Sequence, residues 1–287
     1  MSAPIENYAF IHQEIMPLSK AFLHVSDLAI QRGYGIFDFC RVSQSHPLFL
    51  DNYLQRFYNS ADLMQLVVPM PVADLKATIY ALLQKNNMPE SSIKIILTGG
   101  YSPDGYTLGK PNLIITQQAL SLPDQALLAK GIKIITYEYE REIPPAKTIN
   151  YTMGIRLQKK IQEQNAADVL YHQNGIVTEF PRSNFFIVKK DDTIITSAHN
   201  VLPGITRQNV LSLTGKKYNI QEGTVTLQDV AEAKEAFMTS TTKRILPIVQ
   251  VNDSFIGNGK PGDCTLALLQ DLLALEKEEI SSAAKVL

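Results

Sequence analysis

The sequence predicts an α/β chain of the α+β kind, folded as two domains: a small one over 1–118, a linker at 119–125 and a larger one over 126–287. Three observations lead there. Strand-like runs rich in β-branched and aromatic residues are mixed with helical repeats of apolar residues in both parts of the chain. The 287 residues suit one large domain or two modest ones, and they suffice to bury a substantial core. Between two strand-like runs, ALSLPDQ (119–125) is short, carries a proline and lacks periodicity, as a linker does.

In chain order, GYGIFDFCRV (33–42) reads as a strand. From Asp51, the residues Tyr53, Leu54, Phe57, Tyr58, Ala61 and Met64 recur at helical spacing, and Pro69 and Pro71 would stop that helix. A second helix fits Ala73–Gln84, with Leu75, Ile79, Leu82 and Leu83 inward. Strands at SIKIILT (92–98) and NLIITQ (112–117) complete the first part. The second part opens with a strand at IKIITYEY (132–139) and continues with a helix over Gly154–Gln164. Asn174-Gly175, between VLYHQ and IVTEF, signals a tight hairpin. FFIV (185–188) and TIIT (193–196) are strands about the turn KKDD. Helices follow LPGIT, cover about 226–233 and close the chain near 263–278.

The composition, 45% apolar and 19% charged, is that of an ordinary globular protein. A net charge of −1 supplies no field that would favour nucleic acid or an anionic membrane. Cys40 and Cys264 form neither a disulfide framework nor a metal-binding spacing. They read as core filler in a reduced cytoplasm, and no metal is expected. The N-terminal MSAPIENYAFIHQEI carries acids and no apolar core, which argues against a signal peptide. No run is apolar enough over about 18 residues to span a bilayer.

Four stretches carry candidate chemistry: KTINY, VTEFPRSNFF, LPGITR and TSTTK. Lys147 follows a Pro-Pro-Ala turn; taken alone, a lysine is a solvated surface group, whereas one held against a carbonyl can bond to it. Glu179 ends an apolar strand before Phe180-Pro181. Buried there, it needs a cation: a lysine or arginine of the protein, or a protonated ring nitrogen. In LPGITRQNVLSL a turn runs straight into an amphipathic helix. Gly204 permits close approach, and the Ile205 and Thr206 amides would face a phosphate; the plainer reading makes Thr206 a helix cap. The hydroxyls of Thr239 to Thr242, at a strand end, can hold an oxyanion or simply form a polar turn. Arg56, in NYLQRFYN, could grip a phosphate bidentately or be a helix-surface cation.

Read in order, RGYGIFDF, NYLQRF, KTINY, VTEFPRSNFF, LPGITR and TSTTK resemble the class IV, or fold-type IV, pyridoxal-phosphate enzymes over about residues 25–250. That family includes branched-chain aminotransferases, D-amino-acid aminotransferases and aminodeoxychorismate lyases. The resemblance implies a small N-terminal α+β domain and a larger C-terminal β-barrel-like domain with surrounding helices. It implies that Lys147 holds pyridoxal 5′-phosphate covalently and shuttles a proton between Cα and C4′, while Glu179 pairs with the ring nitrogen. Arg56, the amides of Ile205 and Thr206, and Thr241 would hold the phosphate beside Gly204. Leu202 would back one ring face, and Tyr151 would contact the ring's 3′-oxygen. A homodimer, with the site near its interface, is implied as well.

The chain also departs from the family's patterns. Gly99 stands where an arginine is common, and Asp104 and Tyr106 take the positions of the arginine and histidine of the D-amino-acid branch. Phe37 replaces that branch's tyrosine. Phe180 replaces the glycine after the site glutamate, where its bulk is expected to crowd the cofactor edge. Asp38 stands where family aminotransferases usually have Glu. The candidate substrate groups are Phe37, Arg41, Tyr106, Arg182, Thr242 and Arg244, with Arg32 as a further helper; the amides of Thr241 and Thr242 are candidates for an α-carboxylate. The function implied is transamination between an amino acid and a 2-keto acid, a branched-chain-like substrate being favoured over a D-amino acid. A second reading is aminodeoxychorismate lyase, giving 4-aminobenzoate and pyruvate, to whose loop GGYSPDGYTL is similar; TSTT resembles the aminotransferases instead. A third is a non-catalytic protein on the same fold.

Overall fold

Apolar periodicity and turn chemistry decide most of the local structure. The computed structural model describes residues 6–120, 122, 125–215 and 217–283. Residues 1–5 of the N-terminal stretch, and 121, 123 and 124 of ALSLPDQ, lie outside the described residues. The chain divides into two units, one of Met1–Ser121, Ala146–Asn150 and Glu279–Leu287, the other of Leu122–Pro145 and Tyr151–Glu278.

In the first unit the described strands are β1 (Tyr8–Ile11), β2 (Glu14–Pro17), β3 (Gly35–Ser43), β4 (His46–Pro47), β5 (Ser91–Thr98) and β6 (Leu113–Ala119). They form one sheet in the order β2-β1-β6-β5-β3-β4. β3 runs antiparallel to β5 from Gly35↔Thr98 to Val42↔Ser91. Its alternation turns Ile36, Asp38, Cys40 and Val42 to a buried face. The helices are α1 (Leu28–Arg32), α2 (Leu50–Leu63) and α3 (Val72–Asn86). α2 buries Tyr53, Leu54, Phe57 and Ala61, and α3 buries Leu75, Ile79, Leu82 and Leu83, as their spacing predicts. α2 does not run on to Pro69. Gln65 turns left-handed (φ 53°), the Leu66 amide bonds the Ala61 carbonyl and the Gln65 amide bonds that of Asp62. This pattern closes the last turn and ends the helix by itself.

Residues 146–150 belong to this first unit because they pair with β3. Phe37 N donates to Lys147 O at 2.9 Å, Ile149 N to Gly35 O at 3.0 Å, and Ile36 bridges Thr148.

The second unit contains β7 (Ile132–Glu138), β8 (Asp168–Gln173), β9 (Ile176–Val177), β10 (Asn184–Val188), β11 (Ile194–Ser197), β12 (Ile220–Gly223), β13 (Glu235–Ser240), β14 (Arg244–Val251) and β15 (Ser254–Phe255). The sheet order is β12-β11-β10-β13-β14-β7-β8-β9, with β15 added beside β14. The β14–β7, β7–β8 and β11–β12 pairs are parallel and the rest antiparallel. Its helices are α4 (Gln125–Lys130), α5 (Thr152–Arg156), α6 (Gln158–Glu163), α7 (Ile205–Leu211), α8 (Leu227–Glu232) and, as far as Glu278, α9 (Asp263–Ala283). One face of the sheet buries Phe185, Ile187, Met238, Leu246 and Ile248. The other buries Phe186, Val188, Phe237 and Ile245 against Val210 of α7 and Leu268, Leu269 and Leu272 of α9. Asn174 and Gly175 both have positive φ, 50° and 79°, the backbone a two-residue hairpin needs between β8 and β9.

The helix expected over 154–164 is instead two short ones meeting at Leu157, which closes α5 and opens α6. Leu157 is buried beside Val169 and Tyr171 whereas Ile155 is 66% exposed. The segment therefore has too narrow an apolar stripe to dictate one straight helix. Phe180 is 1% exposed and packs edge-on to Phe185 in the core. Cys40 is core, and burial pushes its thiol up to about 12. Cys264 is half-buried against the α9 face of the core rather than enclosed.

Candidate active site

In the second unit, Glu179 is held at a buried meeting point of several elements. This carboxylate is 4% exposed, one residue before the tight Phe180–Ser183 turn, and its backbone bridges Asn184. Arg141 meets Oε1 through Nε at 2.8 Å and Nη2 at 2.7 Å. Oε2 accepts the Leu202 amide at 3.0 Å and Asn184 Nδ2 at 3.3 Å. The buried charge thus has a protein cation and two further donors, the condition for keeping a carboxylate out of water.

The same Asn184 amide ties in the LPG turn. Its Nδ2 also donates to Leu202 O at 2.9 Å, and Gly204 N donates to that carbonyl at 2.8 Å. A Cβ on Gly204 would stand 2.0 Å from Asn184 Oδ1, so any larger residue here must displace the Asn184 side chain. Gly204 is the N-cap of α7, with no side-chain cap; Thr206 lies inside the helix and is not its cap. The first turn leaves the Ile205 and Thr206 amides without intrahelical acceptors. Asn184 pairs with Thr239 across β10 and β13, which puts the Thr241–Lys243 loop, joining β13 to β14, at this same end of the sheet. Two buried hydroxyls beside Asn184, Ser183 Oγ and Thr239 Oγ1, have no hydrogen-bond partner among the described residues. Tyr151 precedes α5 as its N-cap, and with Pro181, Arg182 and Asp168 it lines a cavity of about 310 Å³.

In the first unit, Lys147 and Arg56 each sit against β3. The Lys147 amide donates to Ser60 Oγ of α2 at 3.1 Å, and its Nζ lies 4.7 Å from the Phe37 ring centroid. Arg56 forks onto Asp38, Nε to Oδ2 at 3.0 Å and Nη2 to Oδ1 at 2.6 Å, with both side chains buried. Arg56 is therefore not a solvated helix cation; Asp38 fixes the plane of its guanidinium.

The remaining candidates are more scattered. Arg41 is buried on β3, and Arg32 is exposed, with Nη1 on the Gln31 carbonyl. Arg244 forks onto Glu276 of α9. Tyr106 is 85% exposed. Asp104 staples its own loop, accepting from Ser102 Oγ, both Thr107 donors and the Tyr106 amide. The Thr107 bonds, foremost, hold its carboxyl well below the usual range. At Gly99 a Cβ would meet Leu28 Cδ1 at 2.9 Å and Tyr34 Cδ1 at 3.1 Å, so these two residues fill the space an arginine would need.

Sequence reasoning missed Arg141 and Asn184. Arg141 is six residues before Lys147 in the charge-rich EYEREI, where an arginine reads as surface. Asn184 lies within SNFF and looks like a strand edge. No described group of three or more His, Cys, Asp or Glu could hold a metal ion, and no described helix is long and apolar enough to cross a membrane.

Comparison with known proteins agrees with this architecture. A D-alanine aminotransferase of Listeria monocytogenes serotype 4b is 27% identical over 271 residues, covering 91% of this chain and 93% of its own. A branched-chain-amino-acid aminotransferase-like protein 1 of Arabidopsis thaliana is 27% identical over 274 residues, 91% of this chain and 49% of that one. Among solved structures, an Escherichia coli branched-chain amino acid aminotransferase superimposes with a TM-score of 0.88 at 23% identity, covering 96% of both chains. A hypothetical aminotransferase from Mycobacterium tuberculosis, in its PLP-bound form, gives 0.79 at 20%, over 93% of this chain and 98% of that one. The fold is thus the fold-type IV architecture expected from the motifs. The family model for amino-transferase class IV matches residues 35–251, and the chain belongs to that family of enzymes.

Proposed function

We propose that this class IV aminotransferase, with pyridoxal 5′-phosphate as its cofactor, moves an amino group between an amino acid and a 2-keto acid, and that a branched-chain-like substrate is favoured over a D-amino acid. The observation that carries the reading is the buried Glu179, held by Arg141, Asn184 and the Leu202 amide beside the start of α7. The hydroxyls of Ser183 and Thr239 beside Asn184, without a hydrogen-bond partner among the described residues, add polar groups that suit a phosphorylated, heterocyclic ligand.

In this reading Lys147 would hold the cofactor, and Glu179 would be the partner of its ring nitrogen. The Ile205 and Thr206 amides and Thr241 would hold the phosphate; in the first unit, Asp38 orients the Arg56 fork, a geometry that suits an oxyanion. Leu202 would back the ring and Tyr151 would meet its 3′-oxygen. When bound, the cofactor supplies an electron sink for the bond broken at Cα. Lys147 Nζ takes the Cα proton and returns it, and Thr241 and Thr242 offer amides to the substrate carboxylate. Against D-amino-acid handling stand the filled space at Gly99 and the use of Asp104 as a loop staple. The relatives bear both D-alanine and branched-chain names, so substrate panels decide this point.

A homodimer is part of the same reading. It is supported by exposed apolar residues of the first unit, Phe22 at 71%, Val25 at 69%, Ile30 at 57% and Tyr106 at 85%. Sedimentation of the purified protein tests it; a monomer at micromolar concentration refutes it.

The activity is tested by the absorbance of the purified, reconstituted protein. L-branched-chain donors should bleach the cofactor band and keto acids restore it, and Lys147→Ala should remove band and turnover together. Normal turnover in Lys147→Ala, or pyruvate release from aminodeoxychorismate without any keto acid, overturns the proposal.

A further inference from the structure

The loop that carries Thr241 and Thr242 is anchored from two directions, by groups with no place in the chemistry above. β13 and β14 pair in register out to Ser240↔Arg244, leaving Thr241–Lys243 as a three-residue connection. Lys243 Nζ reaches Asp168 Oδ2, at the start of β8, at 3.1 Å, with Met238 Sδ at 3.3 Å. Asp168 is 5% exposed, and its other oxygen accepts the Val169 amide at 2.9 Å. The Lys243 amide in turn donates to Ser240 Oγ at 3.1 Å.

Arg244 is the second anchor. Its φ of 56° lies in the left-handed region, where a hairpin of this length takes glycine most readily and a side chain is strained. Its guanidinium forks onto Glu276 of α9, Nε to the two oxygens at 3.1 and 3.0 Å and Nη2 to Oε2 at 2.8 Å. Glu276 is 9% exposed. Buried ion pairs are poor sources of net stability, so an arginine with left-handed backbone at this turn needs another explanation. The two pairs leave consecutive residues, immediately after the two threonines, toward different elements. A loop held in this way has little freedom to move its hydroxyl and amide donors.

We propose that Asp168 and Glu276, acting through Lys243 and Arg244, are positioning residues that fix the Thr241 hydroxyl for a phosphate dianion. This rests on the cofactor reading given above. The test is titration of the apoprotein with pyridoxal 5′-phosphate and, separately, with pyridoxal, which lacks the phosphate, following absorbance to obtain both dissociation constants. Lys243→Met and Arg244→Gly should each weaken the phosphorylated ligand about tenfold while leaving pyridoxal binding unchanged. Lys243→Arg, which can keep the pair with Asp168, should behave as wild type. Arg244→Gly relieves the backbone strain, so it decides the matter if Lys243→Met does not fold. Unchanged affinity for both ligands overturns the proposal, and so does an equal loss for both, which would mean general loosening of the unit. If wild-type protein binds neither ligand, the cofactor reading itself fails; if wild type binds and the variants match it, only the positioning role fails.

Discussion

Gly204→Ala probes the centre of the Glu179 anchor. The backbone at 204 (φ −63°, ψ 137°) suits alanine, so the perturbation is steric. The new Cβ would stand 2.0 Å from Asn184 Oδ1 and 3.3 Å from its Cγ. Asn184 must swing away, and its Nδ2 then loses the Glu179 carboxylate and the Leu202 carbonyl. The first bond is worth about 2 kcal/mol because its acceptor is charged, and the second about 1 kcal/mol. Alanine is also a poorer N-cap than glycine by up to about 1 kcal/mol. Gly204→Ala should therefore cost about 3–4 kcal/mol. The assay is urea unfolding followed by circular dichroism and tyrosine fluorescence, the chain having no tryptophan. Asn184→Ala removes the obstacle, so adding Gly204→Ala to it should cost at most about 1 kcal/mol, a coupling of about 2–3 kcal/mol. Costs that add to within about 0.5 kcal/mol would refute the contact as the reason for glycine at 204.

Glu179→Gln should retain the cofactor yet slow the first half-reaction at least about tenfold, because the ring nitrogen loses its charged partner; an unchanged single-turnover rate would show that another group fills that role. Gly262→Ala should destabilise by about 2–4 kcal/mol, since its Cβ would lie 1.9 Å from Glu235 Cδ, and that carboxylate bonds the Cys264 and Thr265 amides and the Thr265 hydroxyl at the start of α9; an unshifted urea midpoint would contradict this. Thr226→Ala breaks the capping box of α8 and should cost about 1 kcal/mol near neutral pH. Bonds from Thr226 hold the Asp229 carboxyl below its ordinary value. That contribution is fully present above about pH 4 and is lost as pH falls through the depressed folded pKa, so the gap between wild type and Thr226→Ala should narrow in acid; a gap constant with pH would exclude the linkage. Burial pushes the Cys40 thiol up to about 12 and Cys264 up to about 11, so both should resist alkylation at pH 8 until urea unfolds the chain; rapid labelling of the native protein would contradict the packing.

Local pattern made much of the fold readable. The stripes of α2 and α3 are buried where their spacing put them, because an amphipathic helix has one face to hide. Asn174-Gly175 makes its hairpin because both residues tolerate positive φ. The site motifs were legible for a different reason: each is a short segment whose residues act together locally, and their order along the chain is distinctive. Where the local signal was thin the reading slipped, as at Leu157, which splits one expected helix into two.

By itself, then, the sequence determined the longer central strands of the first unit, several strands of the second, most of the helices, the family and the set of residues offered for chemistry, since all of these follow from neighbours within a few positions. Only the tertiary structure decided the partners. It gave Arg141 to Glu179, 38 residues away, Asp38 to Arg56 across 18, and Glu276 to Arg244 across 32. It turned Phe180 into the core and closed the space at Gly99 with Leu28 and Tyr34. A buried charge must find an opposite charge or a donor wherever the fold brings one, and that meeting leaves no periodic trace in the chain.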